Sequence, residues 1–276
     1  MQRFILGAVL AMLCLPFSAQ ALILEGNLVQ GGMAIGKVDP AATIHFQGKP
    51  VRVSPEGLFV IGFSRDAKPE SVIELHHPSG TVEKHSIGIE KRTYKIQRID
   101  GLPPRKVSPS AEDLERIGKD IALVKKVRKK DDPRTDFSQT FIWPVIGRIS
   151  GVYGSQRILN GKPKRPHYGV DIAAPTGTPV RAPADGVVSM VHDDMFYSGG
   201  TLIVDHGHGL STTYMHLHKI LVENGQRVRQ GDVIAQVGAT GRVTGPHLHW
   251  GMNWFNTRLD PSLLVPPIPE AKAAAQ

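Results

Sequence analysis

His247 and His249 are separated by one residue in the run Thr244-Gly245-Pro246-His247-Leu248-His249-Trp250-Gly251. On a β-strand, side chains two residues apart project to the same face, so this pair can address one centre together. A second run, His167-Tyr168-Gly169-Val170-Asp171, adds an imidazole and a carboxylate. Imidazole nitrogen and carboxylate oxygen together suit zinc, whose bonds to these atoms are about 2.0–2.2 Å long. Three protein ligands leave a fourth position for water, the arrangement of a catalytic site, whereas four ligands close it. Spacing alone leaves other sets open, because His206 and His208 form another such pair, as do His216 and His218. The only cysteine, Cys14, lies in an apolar N-terminal run, so thiolate catalysis and a thiolate-rich metal site are excluded beyond it.

The elements that must position these residues are strands. From about Phe141 to Val265 the sequence is rich in glycine and in β-branched alternation, as in Gly186-Val187-Val188-Ser189-Met190-Val191, which reads as an all-β domain. Eight of the twelve histidines fall in it. No His-Glu-x-x-His helix, phosphate-binding loop or dinucleotide fingerprint occurs, so helical metalloprotease and nucleotide chemistries drop out. What remains is a sheet platform that can carry a metal centre.

The ordered segments from Trp143 to Pro261 resemble the lysostaphin-like zinc endopeptidases, which cut the peptide bridges of bacterial peptidoglycan. The likeness rests on His167 to Asp171, Gly177-Thr178-Pro179-Val180, Ala184-Asp185-Gly186-Val187-Val188, Val204-Asp205-His206-Gly207, Tyr214-Met215-His216-Leu217, Gly225-Gln226-Arg227-Val228 and Gly238-Ala239-Thr240-Gly241, followed by Gly245 to His249. The resemblance implies that His167, Asp171 and His249 bind one Zn²⁺ per chain, with His216 and His247 beside the catalytic water. It also implies a groove position for Arg157, where a substrate carboxylate could be held bidentately. Peptidoglycan cross-bridge peptides are the implied substrate, with the D-Ala to diaminopimelate bond expected first and a Gly-Gly bond second. His192, His206 and His208 are expected to be structural or to orient ligands, and Trp250 to pack in the core. A non-enzymatic activator of wall amidases, or a wall-binding protein, is the alternative, and some relatives of the first kind have lost zinc ligands.

Upstream, β-branched runs such as Thr43-Ile44-His45-Phe46 and Ser71-Val72-Ile73-Glu74-Leu75 alternate with turn signals such as Pro55-Glu56-Gly57 and Pro78-Ser79-Gly80. This predicts an immunoglobulin-like β-sandwich over 22–107. Ser110-Ala111-Glu112-Asp113 offers a capping box ahead of Leu114, Ile117, Ile121 and Val124 at helical spacing, so one amphipathic helix should link the halves over 108–138. Its basic end, Lys125, Lys126, Arg128, Lys129 and Lys130, reads as a solvated terminus favourable to the helix dipole. The Pro-rich and charged junction resembles a linker, so a chain truncated before Asp136 is expected to fold by itself. The expected fold is thus mainly β, with the peptidase domain over 139–266 and a flexible tail over 267–276.

Residues 1–21 carry Arg3, an apolar run from Phe4 to Leu15, Pro16 and the small-residue site Ala19-Gln20-Ala21. They read as a secretory signal peptide, giving a periplasmic or secreted chain with no transmembrane anchor after cleavage. Lys and Arg number 33 against 25 Asp and Glu, a net charge of +8, which favours anionic partners such as cell-wall polymer. Aromatic residues make up only 6% of the chain and do not interleave with its basic runs, so nucleic acid is not expected as a partner. An envelope regulatory protein is the further partner anticipated.

Overall fold

The computed structural model describes residues 22–268; the expected signal peptide, 1–21, and residues 269–276 of the expected tail lie outside the described residues. Seven strands build the N-terminal part: β1 Ile23–Gly26, β2 Met33–Lys37, β3 Thr43–Phe46, β4 Lys49–Val51, β5 Leu58–Gly62, β6 Glu70–His76 and β7 Val82–Gly88. They form two sheets, ordered β1-β2-β5 and β4-β3-β6-β7, a sandwich of the immunoglobulin kind with the fourth strand on the second sheet. Alternation sets the faces. Ile44 and Phe46 of β3 stand opposite Leu75 and Ile73 of β6 and all four are buried, whereas the intervening His45 and Glu74 are only partly covered.

Then come β8 Ile96–Ile99, α1 Pro104–Val107 and α2 Ala111–Val127, followed by β9 Arg148–Gly151, β10 Gln156–Leu159, β11 Lys162–Pro163 and β12 Val170–Ala173. The chain continues through β13 Pro179–Arg181, β14 Gly186–Met195, β15 Gly199–Asp205, β16 Leu210–Leu217, β17 Lys219–Ile220 and β18 Arg227–Val228, and ends in β19 Val233–Gln236, β20 His247–Trp254 and β21 Thr257–Leu259. The principal sheet is ordered β18-β14-β15-β16-β20-β12-β9, with β21 paired to β20, and a small sheet is ordered β13-β19-β17. Ile172, Leu202, Val204, Tyr214, Leu248 and Trp250 are buried on one face of the principal sheet. Alternation therefore puts Asp171, His249, Met215 and Thr213 on the opposite face.

The helix forms as its capping box predicts. The Ser110 hydroxyl accepts from the Asp113 N–H at 3.2 Å, and the Asp113 carboxylate accepts from the Ser110 N–H at 3.1 Å. Val124 and Val127 pack it against Met190, Met195 and Ile203, so α2 lies on the sheet face that carries Asp171 and His249. Of the expected apolar stripe, Ile117 is buried but Leu114 and Ile121 are exposed. The basic end is not uniformly solvated either, since Arg128 is only 5% exposed.

The two β regions are not separated by a bare linker. One continuous buried cluster includes Ile44, Phe59 and Phe63 from the sandwich and Trp250, Trp254 and Leu259 from the principal sheet. Gly62 lies at this seam, where a Cβ would stand 2.9 Å from Leu259 and 3.0 Å from Trp254, so a larger residue would force its neighbours to shift. Strand β8, which lies within 22–107, takes its hydrogen bonds from β10 in parallel register. Arg92 also pairs with buried Asp260 at 2.9 Å.

Candidate metal centre and its imidazole pair

Strands β12 and β20 are antiparallel neighbours with Asp171 directly opposite His249, which brings a carboxylate and an imidazole from distant segments onto one face. His167 lies just ahead of β12 and is fixed by backbone bonds, its N–H donating to Ser155 O at 2.8 Å and its carbonyl accepting from the Gly154 N–H at 2.7 Å. The ligating atoms of His167, Asp171 and His249 all lie within 4.8 Å of one another, and all three residues are buried. His167 Nε2 is 3.0 Å from His249 Nδ1 and 3.0 Å from Asp171 Oδ1, and His249 Nδ1 is 2.8 Å from the same oxygen.

Proton counting shows why a cation fits. His167 Nδ1 is 3.1 Å from the Val152 carbonyl, and a carbonyl only accepts, so this nitrogen carries the proton and the neutral ring presents Nε2 as a lone pair. That lone pair faces a carboxylate oxygen and a second imidazole. Three acceptor-type atoms aimed at one point are the donor set of a divalent cation. Zinc bonds of about 2.0–2.2 Å in a tetrahedron would put neighbouring donors roughly 3.3 Å apart, a few tenths of an ångström wider than observed.

The electrostatics agree. Burial pushes the His249 pKa down to about 4, against an opposing pull from Asp171, so the ring is neutral and available as a ligand near pH 7. Burial also works against charge on Asp171, but its contacts with His167 and His249 outweigh it and hold the carboxyl well below its ordinary range. Room for the His249 ring depends on Gly169, where a Cβ would lie 2.6 Å from His249 Nε2 and from the Trp250 carbonyl.

His216 and His247 complete the cluster. Their ring centroids are 4.8 Å apart, and His216 is 6.2 Å from the His249 ring. His216 ends the regular part of β16 with φ +64°, a left-handed conformation uncommon for histidine. Its backbone N–H donates to Ser198 O at 2.8 Å and its Nδ1 donates to Thr240 O at 2.9 Å. His247 Nδ1 likewise donates to Gly245 O at 2.9 Å, and its Nε2 stands 3.8 Å from Asp171 Oδ1. Both rings therefore turn an Nε2 lone pair away from their anchoring carbonyls. Burial lowers the His216 pKa to about 3, and His247 and His249 push it the same way.

The remaining sequence candidates do not add ligands to the cluster. Arg157 reaches the cluster, but its Nη2 donates to Asp171 Oδ2 at 2.7 Å and its Nε to Gln97 Oε1 at 3.2 Å. His218 is exposed beyond the end of β16. His206 is fully buried, with Nδ1 donating to Asp185 O at 2.6 Å and Nε2 2.8 Å from Thr212 Oγ1. His208 packs on Phe137, with centroids 4.8 Å apart, and His192 Nδ1 accepts from the Asp194 N–H at 3.2 Å. Trp250 is fully buried, as its packing role requires. The sequence reading missed the carbonyls of Val152 and Thr240, which set two tautomers, and it missed Arg128. Residues 117, 121, 124 and 128 share one helical stripe, so spacing could have placed Arg128 on the inward face.

Comparison with known proteins gives a consistent picture. The model of peptidase family M23 matches residues 165–261. A crystal structure described as a peptidase M23 from Pseudomonas aeruginosa is 32% identical with a TM-score of 0.68, over 86% of this chain and 95% of that one. Peptidoglycan DD-endopeptidase ShyA of Vibrio cholerae is 48% identical over 105 residues, 37% of this chain and 24% of that protein. DD-carboxypeptidase/endopeptidase Mpg of Neisseria meningitidis is 40% identical over 130 residues, 47% of this chain and 30% of that protein. The chain thus spans about a quarter of the length of the first curated relatives it matches.

Proposed function

Because this chain belongs to peptidase family M23, we propose that it is a zinc endopeptidase hydrolysing the peptide cross-links of bacterial peptidoglycan, with the D-Ala to diaminopimelate bond as its target. The observation that carries this reading is the meeting of His167 Nε2, His249 Nδ1 and Asp171 Oδ1 at 2.8–3.0 Å, with two further imidazoles alongside. Names of relatives such as the DD-endopeptidase ShyA support the bond class.

His167, Asp171 and His249 would hold one Zn²⁺. The chemistry such an ion supplies when bound is polarisation of a carbonyl and acidification of water. The chain's own residues do the rest. His216, kept neutral by burial, offers Nε2 as an acceptor that orients water, and its Thr240 anchor keeps the ring from swinging away. His247, at the start of β20, also presents Nε2 as an acceptor, so it can take a proton from the attacking water and return that proton to the departing amine. The complete donor set weighs against a non-enzymatic amidase activator. Action on wall cross-links places the chain in the periplasm or outside the cell. No helix among the described residues is long and apolar enough to cross a membrane.

Muropeptide analysis of purified sacculi by mass spectrometry tests the proposal. Cross-linked dimers should fall to monomers cut at the D-Ala to diaminopimelate bond, stop doing so on chelation and resume with added zinc. Sacculi left intact by the zinc-loaded chain would defeat it.

A further inference from the structure

On the sheet face that carries His249, a cavity of about 610 Å³ opens between α2 and the strands beside it. Its lining includes Thr213 and Met215 of β16, and Tyr168, which follows the candidate ligand His167 in the chain. Met215 is directly opposite His249 in the β16 and β20 register, and Thr213 is opposite Gly251. Two residues along a strand is roughly 7 Å, so the cavity begins about one side chain from the metal centre and runs away from it along β16, from Met215 to Thr213.

The lining combines apolar walls with unusual charge. Ile117, Ile121 and Val124 face in from α2, and Arg128, Arg258, Arg165 and Lys125 supply cations. Arg128 is 5% exposed, donates from Nη2 to Thr213 Oγ1 at 3.1 Å and has no partner for Nε. Arg258 is half-buried beside it, with one long contact of 3.4 Å to Asn253 Oδ1. Among the described residues, no carboxylate forms an ion pair with either guanidinium. Asp120, also on the lining, is occupied by the Phe196 N–H at 2.8 Å. A buried guanidinium with no counter-charge is costly. Two neighbouring ones, walled by aliphatic side chains, suit an anionic group. Arginine's planar fork matches a carboxylate bidentately, and the apolar wall suits the aliphatic stem of a peptide side chain.

We propose that this cavity is a substrate subsite in which Arg128 and Arg258 hold a free carboxylate of the wall stem peptide, while the peptide runs along β16 to the metal centre. The proposal rests on the hydrolase reading above and gives α2 a function, as the outer wall of the substrate channel.

The test uses the full zinc-loaded chain and two synthetic stem tetrapeptides, one with free diaminopimelate and terminal carboxylates and one fully amidated. Binding is measured by calorimetry, and cleavage is followed on the corresponding cross-linked dimers. The free acid should bind about tenfold more tightly than the amide, the size expected for a charge-assisted pair. Arg128→Gln and Arg258→Gln should each bring that ratio below about twofold and raise KM for the acid dimer about tenfold. If both variants fail to melt cooperatively, Lys125→Glu, a substitution at the exposed rim, should weaken acid binding and leave amide binding unchanged. Equal affinity for acid and amide in the wild type, or full acid preference in Arg128→Gln, overturns the subsite. Cleavage with no acid preference removes the subsite and leaves the hydrolase. Acid-selective binding that Arg128→Gln abolishes, in a chain that cuts nothing, supports the subsite and removes the hydrolase.

Discussion

Arg157 Nη2 donates to Oδ2 of Asp171 at 2.7 Å, while Oδ1 of the same carboxylate faces His167 and His249. The guanidinium thus clamps the far side of a candidate metal ligand and fixes the plane of the near side. Arg157→Gln should lower zinc affinity by about 10–100-fold, the usual effect of removing a group that orients a ligand. Competition with a chromogenic chelator measures it. A variant with wild-type zinc affinity and only a raised KM would return Arg157 to the substrate-carboxylate role that the resemblance implies.

The two kinds of histidine should separate experimentally. His249→Ala removes one of three donors and should abolish zinc retention through gel filtration, read by elemental analysis. His216→Ala leaves all three donors in place, so it should retain one zinc per chain while turnover falls by about 10²–10⁴-fold, the span typical of a lost acid–base group. Equal loss of metal in both variants would show that His216 ligates.

Much of this centre was legible because its logic is local or periodic. The i, i+2 spacing of His247 and His249 fixes their common face, and Ser110 to Asp113 announces a helix start that forms as written. The anchoring carbonyls of Val152 and Thr240 were not legible, since every residue has a carbonyl and only the tertiary path brings one to a ring. The left-handed backbone of His216 was hidden too, because no glycine or asparagine marks it. The basic run after Val124 misled in another way. Composition describes a solvated end, yet the helical stripe turns Arg128 inward, and the stripe decides.

The shared core predicts an outcome opposite to the linker expectation. Removing residues before Asp136 strips Phe46 from Trp254, whose rings lie 6.0 Å apart, and strips Val124 and Val127 from Met190 and Ile203. Each large apolar side chain so uncovered forfeits roughly 1.5–3 kcal/mol, and several together rival the roughly 5–15 kcal/mol stability of a typical domain. The truncated chain should aggregate, or melt well below the full chain by calorimetry. An unchanged melting temperature would show the two parts to be independent.

His206 supplies a pH dependence of stability distinct from the metal centre. The ring is fully buried between the Asp185 carbonyl and the Thr212 hydroxyl, and burial lowers its pKa from 6.5 to about 4. In the unfolded chain it takes a proton near 6.5, so between about pH 6.5 and 4 unfolding is accompanied by proton uptake. Its stabilising contribution is therefore complete above pH 6.5 and declines as the pH falls to about 4, by roughly 3 kcal/mol at 1.36 kcal/mol per pH unit. His206→Gln removes the titrating group and can keep a donor toward Asp185. Its stability relative to wild type, from urea melts at intervals between pH 7 and 4, should improve by about that amount toward the acid end. Comparing the two proteins at each pH cancels the titration of the ligand histidines common to both. Parallel curves would mean that His206 takes its proton in the folded chain as readily as in the unfolded one.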